Sequence, residues 1–173
     1  MHRDLRVEQV SEIIKRNSNM VYRLAYSMVK TVQDAEDIHQ EVFIRYICKC
    51  PQFESNEHEK AWFIRVTVNL CKNLWKTAWR QKMVSMDALE TEENGADSVE
   101  SFQVQLMLTQ EEEKIVETVK RLPFKYRVVI HLFYYEEMSI EEIADSLNLK
   151  PSNVRTRLTR ARRMLKDLLK EDL

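Results

Sequence analysis

A single glycine in 173 residues, beside only three prolines, leaves this chain almost nothing from which to build tight turns or hairpins. Leu, Glu, Lys and Ile are abundant, and apolar residues recur at helical spacing through most of the sequence. Together these features predict an all-α fold. The length accommodates one moderate core or two small ones.

Charge is unevenly distributed. Residues 1–82 carry 14 Lys/Arg against 10 Asp/Glu, residues 83–113 carry nine acidic residues and no basic one, and residues 114–173 carry 13 basic against 9 acidic. The near-neutral total of -1 therefore conceals two basic segments joined by an acidic one, and a basic segment is a candidate anion-binding surface. No apolar run approaches the roughly 18 residues of a membrane span, and “MHRDLRVEQV” lacks the apolar core of a signal peptide, so a cytosolic protein is expected. Three cysteines, Cys48, Cys50 and Cys71, fit a reduced compartment better than a disulfide framework. Cys48 and Cys50 have only His39 and His58 nearby in sequence, which argues against a metal site.

Along the chain, Val7, Val10, Ile14, Val21, Leu24, Ala25 and Met28 place one or two helices before about Lys30. Thr31 with Asp34 resembles a capping box and announces a second helix over “DAEDIHQEVFIRYI”, ended by Pro51. A third is predicted from about Glu59 to Gln81. The segment “SMDALETEENGADSVES” has the only glycine and no basic residue, and reads as a flexible linker. A second module then starts near Leu106, where Ile115, Val116, Val119 and Leu122 share one side of a helix that Pro123 breaks, and “KYRVVIHLFYYEE” supplies another helix.

The C-terminal stretch carries the clearest motif. Ser139 with Glu142 is a capping box, and Ile140, Ile143, Ala144 and Leu147 give a short helix its buried side. Asn148 tolerates a left-handed turn, and Pro151 suits the first turn of the next helix. The result is helix, tight turn, helix. In the last helix Val154, Leu158, Ala161, Leu165 and Leu168 face inward, which turns Ser152, Thr156, Thr159, Arg160 and Arg163 outward with Arg155, Arg157 and Arg162 on the flanks. Guanidiniums interleaved with small hydroxyls suit a DNA major groove, although a solvated basic face has the same pattern.

The third helix has its own polar stripe, with Trp62, Arg65, Asn69, Lys72, Asn73, Lys76 and Arg80 within about 100° of arc while Phe63, Val66, Leu70 and Leu74 face the core. Basic and amide side chains without acids suit phosphates and unpaired bases. Trp62, Trp75 and Trp79 read as core more readily than as base-stacking platforms. On the second helix Ala35, Ile38 and Val42 face inward, leaving Glu36, Asp37, Gln40 and Glu41 as an acidic patch suited to a basic protein partner. No catalytic constellation, phosphate loop, cofactor motif or small-molecule site is legible, and the chain does not read as an enzyme.

These motifs resemble a bacterial sigma factor of the extracytoplasmic-function type. “VYRLAYSMV…DAEDIHQEVFIRY” followed by “AWFIRVTVNLCKNLWK” is similar to the family's region two, and “LPFKYRVVIHLFYYEEMSIEEIADSLNLKPSNVRTRLTRARRMLKDLL” to region four. The resemblance implies two small helical domains, region two over 1–82 and region four with its helix-turn-helix over 106–173, joined by the flexible acidic linker 83–105. It implies docking of Asp37, Gln40 and Glu41 on the clamp-helix coiled coil of core RNA polymerase. It implies melting and capture of the minus-ten element by Arg65, Asn69, Lys72, Asn73, Lys76 and Arg80. Readout of the minus-thirty-five element falls to Ser152, Asn153, Arg155, Thr156, Arg157, Thr159, Arg160 and Arg163. An anti-sigma factor, often membrane-anchored, is the expected regulator, and a stress or envelope regulon the expected target. The family's usual Arg-Asn and Asp stand here as Val68-Asn69 and Asn73, so promoter preference does not transfer. The alternatives are a stand-alone helix-turn-helix regulator, which would bind duplex DNA without polymerase, and a helical protein-interaction module without DNA specificity.

Overall fold

The computed structural model describes residues 2–84 and 109–172, with backbone alone for residues 2–5, 79 and 81–84. The linker predicted over 83–105 beyond Val84, the module start at Leu106 and the Trp79 side chain lie outside the described residues. Seven helices follow in order among those residues: α1 His2–Met28, α2 Val32–Lys49, α3 Asn56–Val84, α4 Gln110–Lys120, α5 Phe124–Ile130, α6 Ile140–Leu147 and α7 Pro151–Glu171. No strand occurs among the described residues.

α1 is one continuous helix, and it packs on both α2 and α3. Its C-terminal half supplies the core, with Val21, Leu24, Ala25 and Met28 fully buried, whereas Val7 is exposed despite being in phase. Thr31 caps α2 by accepting from the Asp34 amide at 3.1 Å. Ala35, Ile38 and Val42 point inward as predicted, joined by Phe43 and Tyr46. α3 starts three residues earlier than expected. Its fully buried line is Phe63, Ile64, Thr67 and Cys71, while Val66, Leu70 and Leu74 are only partly buried. Trp62, assigned by counting to the polar stripe, instead packs edge-on against Tyr46, Phe53 and Phe63 at centroid distances of 5.0–6.1 Å. Burying each such aromatic or aliphatic side chain contributes about 1.5–3 kcal/mol.

In the second module both halves of the Thr109–Glu112 and Ser139–Glu142 capping boxes form. Ile115 is exposed, leaving Val119 and Leu122 as the buried residues of its group. The helix expected over “KYRVVIHLFYYEE” changes character after Ile130: His131–Tyr135 is a π-helical turn, and Glu137 follows it with φ of 51°. The α6 end closes in a Schellman motif, with Asn148 left-handed at φ 54°, its amide bonded back to Asp145 and the Leu149 amide bonded to the Ala144 carbonyl at 2.8 Å. Pro151 then opens α7. The two modules do not stand apart: their buried side chains form one continuous cluster, bridged where α5 meets the end of α1 and where α6 meets α3.

One polar contact in the first module stands at the edge of its core, between a buried carboxylate and a half-exposed arginine. The Glu59 carboxylate is 5% exposed and accepts from Arg16 Nε at 2.7 Å, from Arg16 Nη2 and from Asn17 Nδ2 at 2.6 Å. The Arg16 hydrogen bond holds its pKa below the usual carboxylate range against the opposing pull of burial. A carboxylate depressed by folding stabilises the fold above its ordinary pKa and loses that contribution as pH falls through the depressed value. Glu59→Gln is therefore expected to lower stability by about 1.5–3 kcal/mol at neutral pH, and by progressively less in acid. Urea unfolding across that pH range measures it, and a constant difference would contradict the assignment.

Candidate nucleic-acid interface

The α7 surface follows from its buried seam. Val154, Leu158 and Ala161 are fully buried, Leu165 and Leu168 partly so, and Ser152, Asn153, Arg155, Thr156, Thr159, Arg160 and Arg163 are exposed while Arg157 is half-buried. The structure therefore brings the predicted residues together on the outward side of one helix. Thr156 Oγ1 donates to the Ser152 carbonyl and Thr159 Oγ1 to the Arg155 carbonyl, both at 3.0 Å. With those hydrogens committed to backbone, the hydroxyls offer lone pairs and methyl groups outward, which match base amino groups and thymine methyls better than phosphate oxygens. Arg160 lies against the Tyr126 hydroxyl, and its hydrogen bond lowers that phenol's pKa. Arg155 pairs with Glu141 at 3.5 Å, with both side chains more than half exposed. Arg162 is used differently: its Nε donates to Tyr134 Oη at 2.8 Å and its guanidinium lies over the Phe133 and Tyr134 rings.

Arg65, Asn69, Lys72, Asn73, Lys76 and Arg80 are all exposed along α3, as predicted. They share a face, but they do not share a state. Arg65 donates through Nη2 to the Asp145 carbonyl at 3.0 Å and through Nε to the Ser146 carbonyl at 3.3 Å, so it is spent on the end of α6. Trp75 is a packing residue whose Nε1 donates to the Met28 carbonyl at 2.7 Å. Burial pushes the Cys71 thiol up to about 12, which leaves it protonated and a poor nucleophile or metal ligand. No cluster of three or more potential metal ligands occurs among the described residues.

On α2, Asp37 accepts from Gln33 Nε2 at 3.0 Å, Glu41 pairs with Arg45 at 2.8 Å, and Gln40 is exposed. The structure adds Ile44 and Ile47, 45% and 53% exposed, which lie seven residues beyond Asp37 and Gln40 and so on the same side of the helix. Inspection of charge alone overlooked them. The available signal was two isoleucines out of phase with the inward Ala35, Ile38 and Val42 line, since exposed apolar residues beside a polar patch mark contact surfaces.

Comparison with known proteins agrees with this geometry. Residues 13–81 match the family model Sigma-70 region 2, and residues 112–165 match Sigma-70, region 4. The chain is 31% identical over 169 residues to the ECF RNA polymerase sigma factor SigW of Bacillus subtilis, covering 93% of this chain and 89% of SigW. It is 34% identical over 134 residues to the ECF RNA polymerase sigma-E factor of Escherichia coli K12, covering 75% and 70%. Among solved structures, the sigma factor RpoE bound to the anti-sigma factor NepR from Bartonella quintana superposes with a TM-score of 0.75 at 22% identity, covering 96% of this chain and 99% of that one, which supports the fold. The described residues contain no helix long and apolar enough to cross a membrane. Two matched regions in the order and separation of the two helical modules, with relatives aligned across both, establish that the chain belongs to the extracytoplasmic-function sigma factors of the sigma-70 family.

Proposed function

We propose that the chain acts as an alternative sigma factor through three surfaces, each built from residues already described. α2 presents Asp37, Gln40 and Glu41, backed by Ile44 and Ile47, to a basic helical partner on core RNA polymerase. An acidic rim beside an apolar strip gives such a contact orientation from charge and affinity from burial. The α3 stripe, Arg65 to Arg80, holds the unpaired minus-ten strand. α7 reads the minus-thirty-five duplex, with Arg155 and Arg160 as candidate base or phosphate contacts and Thr156 and Thr159 as acceptors and methyl contacts. Residues 1–82 thus form the polymerase and minus-ten module, 83–105 the connector and 106–173 the minus-thirty-five module.

The observation that carries the reading is the outward basic side of α7 behind a Schellman-turned helix-turn-helix, in the same chain as a second, independently exposed basic-amide stripe. The protein has no reaction of its own in this reading: base flipping costs a few kcal/mol, and binding the unpaired bases offsets it. It works in the cytoplasm, under an anti-sigma factor that binds it, as NepR binds the structurally similar RpoE.

Run-off transcription with purified core polymerase on a pool of genomic fragments tests this directly, with protein-dependent starts at a shared two-element promoter as the expected result. Specific gel shifts by the protein alone, with no polymerase-dependent start, would favour a stand-alone regulator. Asp37→Arg is expected to weaken core-polymerase binding about tenfold or more, because like charges set against each other cost several kcal/mol. In the same assay Arg160→Ala is expected to cost about 1–3 kcal/mol and to relax selectivity at one promoter position. A loss uniform across sequences would reassign Arg160 to a phosphate.

A further inference from the structure

One arginine of the second module is oriented without being neutralised. Arg162 of α7 is exposed, and its Nε donates to Tyr134 Oη at 2.8 Å. Its guanidinium carbon lies 5.3 Å from the centre of the Phe133 ring and 5.7 Å from that of Tyr134, and the two rings meet edge to face at 5.0 Å. Both belong to the π-helical turn His131–Tyr135, which closes with the Glu136 amide on the His131 carbonyl at 3.3 Å. Tyr134 is 53% exposed, too open to be held there by burial in the core. Other arginines of the module are spent differently: Arg155 faces Glu141 at 3.5 Å, Arg121 faces Glu171 and Asp172, and Arg127 is buried. Arg162 has no carboxylate partner among the described residues.

A carboxylate would fix the guanidinium and cancel its charge. A phenol oxygen and two ring faces fix it and leave the charge whole. The N–H donors on Nη1 and Nη2 stay unspent, and a guanidinium already held in place loses less freedom when an anion binds it. Position along the helix identifies the anion. Arg155, Thr159, Arg162 and Lys166, all exposed, recur at steps of four, three and four residues, so they form one line within about 60° of arc, bordering the outward Ser152, Thr156 and Arg163. Arg162 stands about two turns, roughly 10 Å, beyond Arg155. A recognition helix meets base edges with its N-terminal residues, so a flank side chain that much further along lies at the wall of the groove, where the phosphates are.

We propose that Tyr134, with Phe133 beside it, is a positioning residue for duplex binding: it holds Arg162 as a backbone-phosphate anchor on the flank of α7, aimed but still fully charged. The inference rests on the reading of α7 as the duplex-binding helix. It gives the π-helical turn a task, which is to present two adjacent aromatic rings to one guanidinium. Arg162 then sets the seat of α7 on the duplex and carries no sequence preference of its own.

The test titrates a short mixed-sequence DNA duplex with the full chain at several salt concentrations, comparing wild type with Arg162→Gln, Tyr134→Ala, Tyr134→Phe and the double variant Tyr134→Ala with Arg162→Gln; thermal unfolding of each checks the fold. Arg162→Gln is expected to make the salt slope shallower by about 0.9, the value of one phosphate contact on duplex DNA, and to weaken binding uniformly across sequences. Tyr134→Ala is expected to lose affinity several-fold although the arginine is still present. The double variant is expected to bind no worse than Arg162→Gln alone, because the tyrosine acts through the arginine. Tyr134→Phe keeps the ring and removes only the hydroxyl; it is expected to fall between wild type and Tyr134→Ala, and it carries the test should the alanine variant misfold. An unchanged slope in Arg162→Gln would overturn the phosphate anchor. Additive losses in the double variant would reduce Tyr134 to packing and overturn its positioning role. A wild type that binds no duplex at any salt concentration would sink the reading of α7 together with this inference. Duplex binding that behaves as expected, with no polymerase-dependent start in run-off transcription, would sink the sigma-factor reading alone and leave the clamp standing.

Discussion

Burial of Val154, Leu158 and Ala161 sets the rotational phase of α7, and everything the helix can do outward depends on that phase. A helix turning about 100° per residue has room for one apolar seam; once the seam is seated, Arg155, Thr156, Thr159, Arg160 and Arg163 are left on the exposed side, where Arg155 reaches Glu141 and Arg160 the Tyr126 hydroxyl. The same constraint acts on α2, where Ala35, Ile38 and Val42 commit the inner side and leave Asp37, Gln40, Ile44 and Ile47 facing out. Core packing therefore supplies stability and also decides which chemistry reaches the surface.

Scarcity of glycine shapes the turns between these helices. The chain's one glycine, Gly95, is outside every turn described, yet Cys50, Glu137 and Asn148 all have positive φ. Asn takes that conformation at little cost, but for Cys50 and Glu137 the penalty is about 1–2 kcal/mol each. Cys50 terminates α2, returning its amide to the Tyr46 carbonyl at 2.9 Å. Glu137 reverses the chain after the π-helical turn, and the energy it costs is spent where the turn aims Glu136 at the other module. Strain of that kind persists only where surrounding contacts over-determine it, and Glu136 has contacts from α1 and α3.

What could be read from sequence follows the reach of each signal. The capping box at Ser139, the left-handed Asn148, Pro151 and the α7 seam are local patterns, and the structure reproduces each of them. The outward stripes on α3 and α7 were equally legible, since periodicity reports phase. Counting along the wheel put Trp62 on the polar stripe and Ile115 on the buried side because a wheel gives direction without neighbours: the aromatic cluster of Tyr46, Phe53 and Phe63 draws Trp62 inward, as its residue type suggested, and Ile115 stays half exposed among the described residues. The π-helical turn had no local signature in “HLFYY”. Least legible was the contact between modules, because a carbonyl at the end of α1 is invisible in a sequence, and so is the arginine that finds it a hundred residues later.

That last point bears on how two modules with basic outward sides pack close together. Carboxylate partners for Arg127 and Arg65 would set further fixed acids beside the α3 stripe and α7. Helix-end carbonyls avoid this, carrying only partial charge and being unpaired by the geometry of any helix terminus. Arg127 and Arg65 thus satisfy groups that would otherwise need water. Glu136 is the buried carboxylate at this contact, and burial that would raise its pKa is outweighed by His131, Arg23 and Lys60, which hold it ionised.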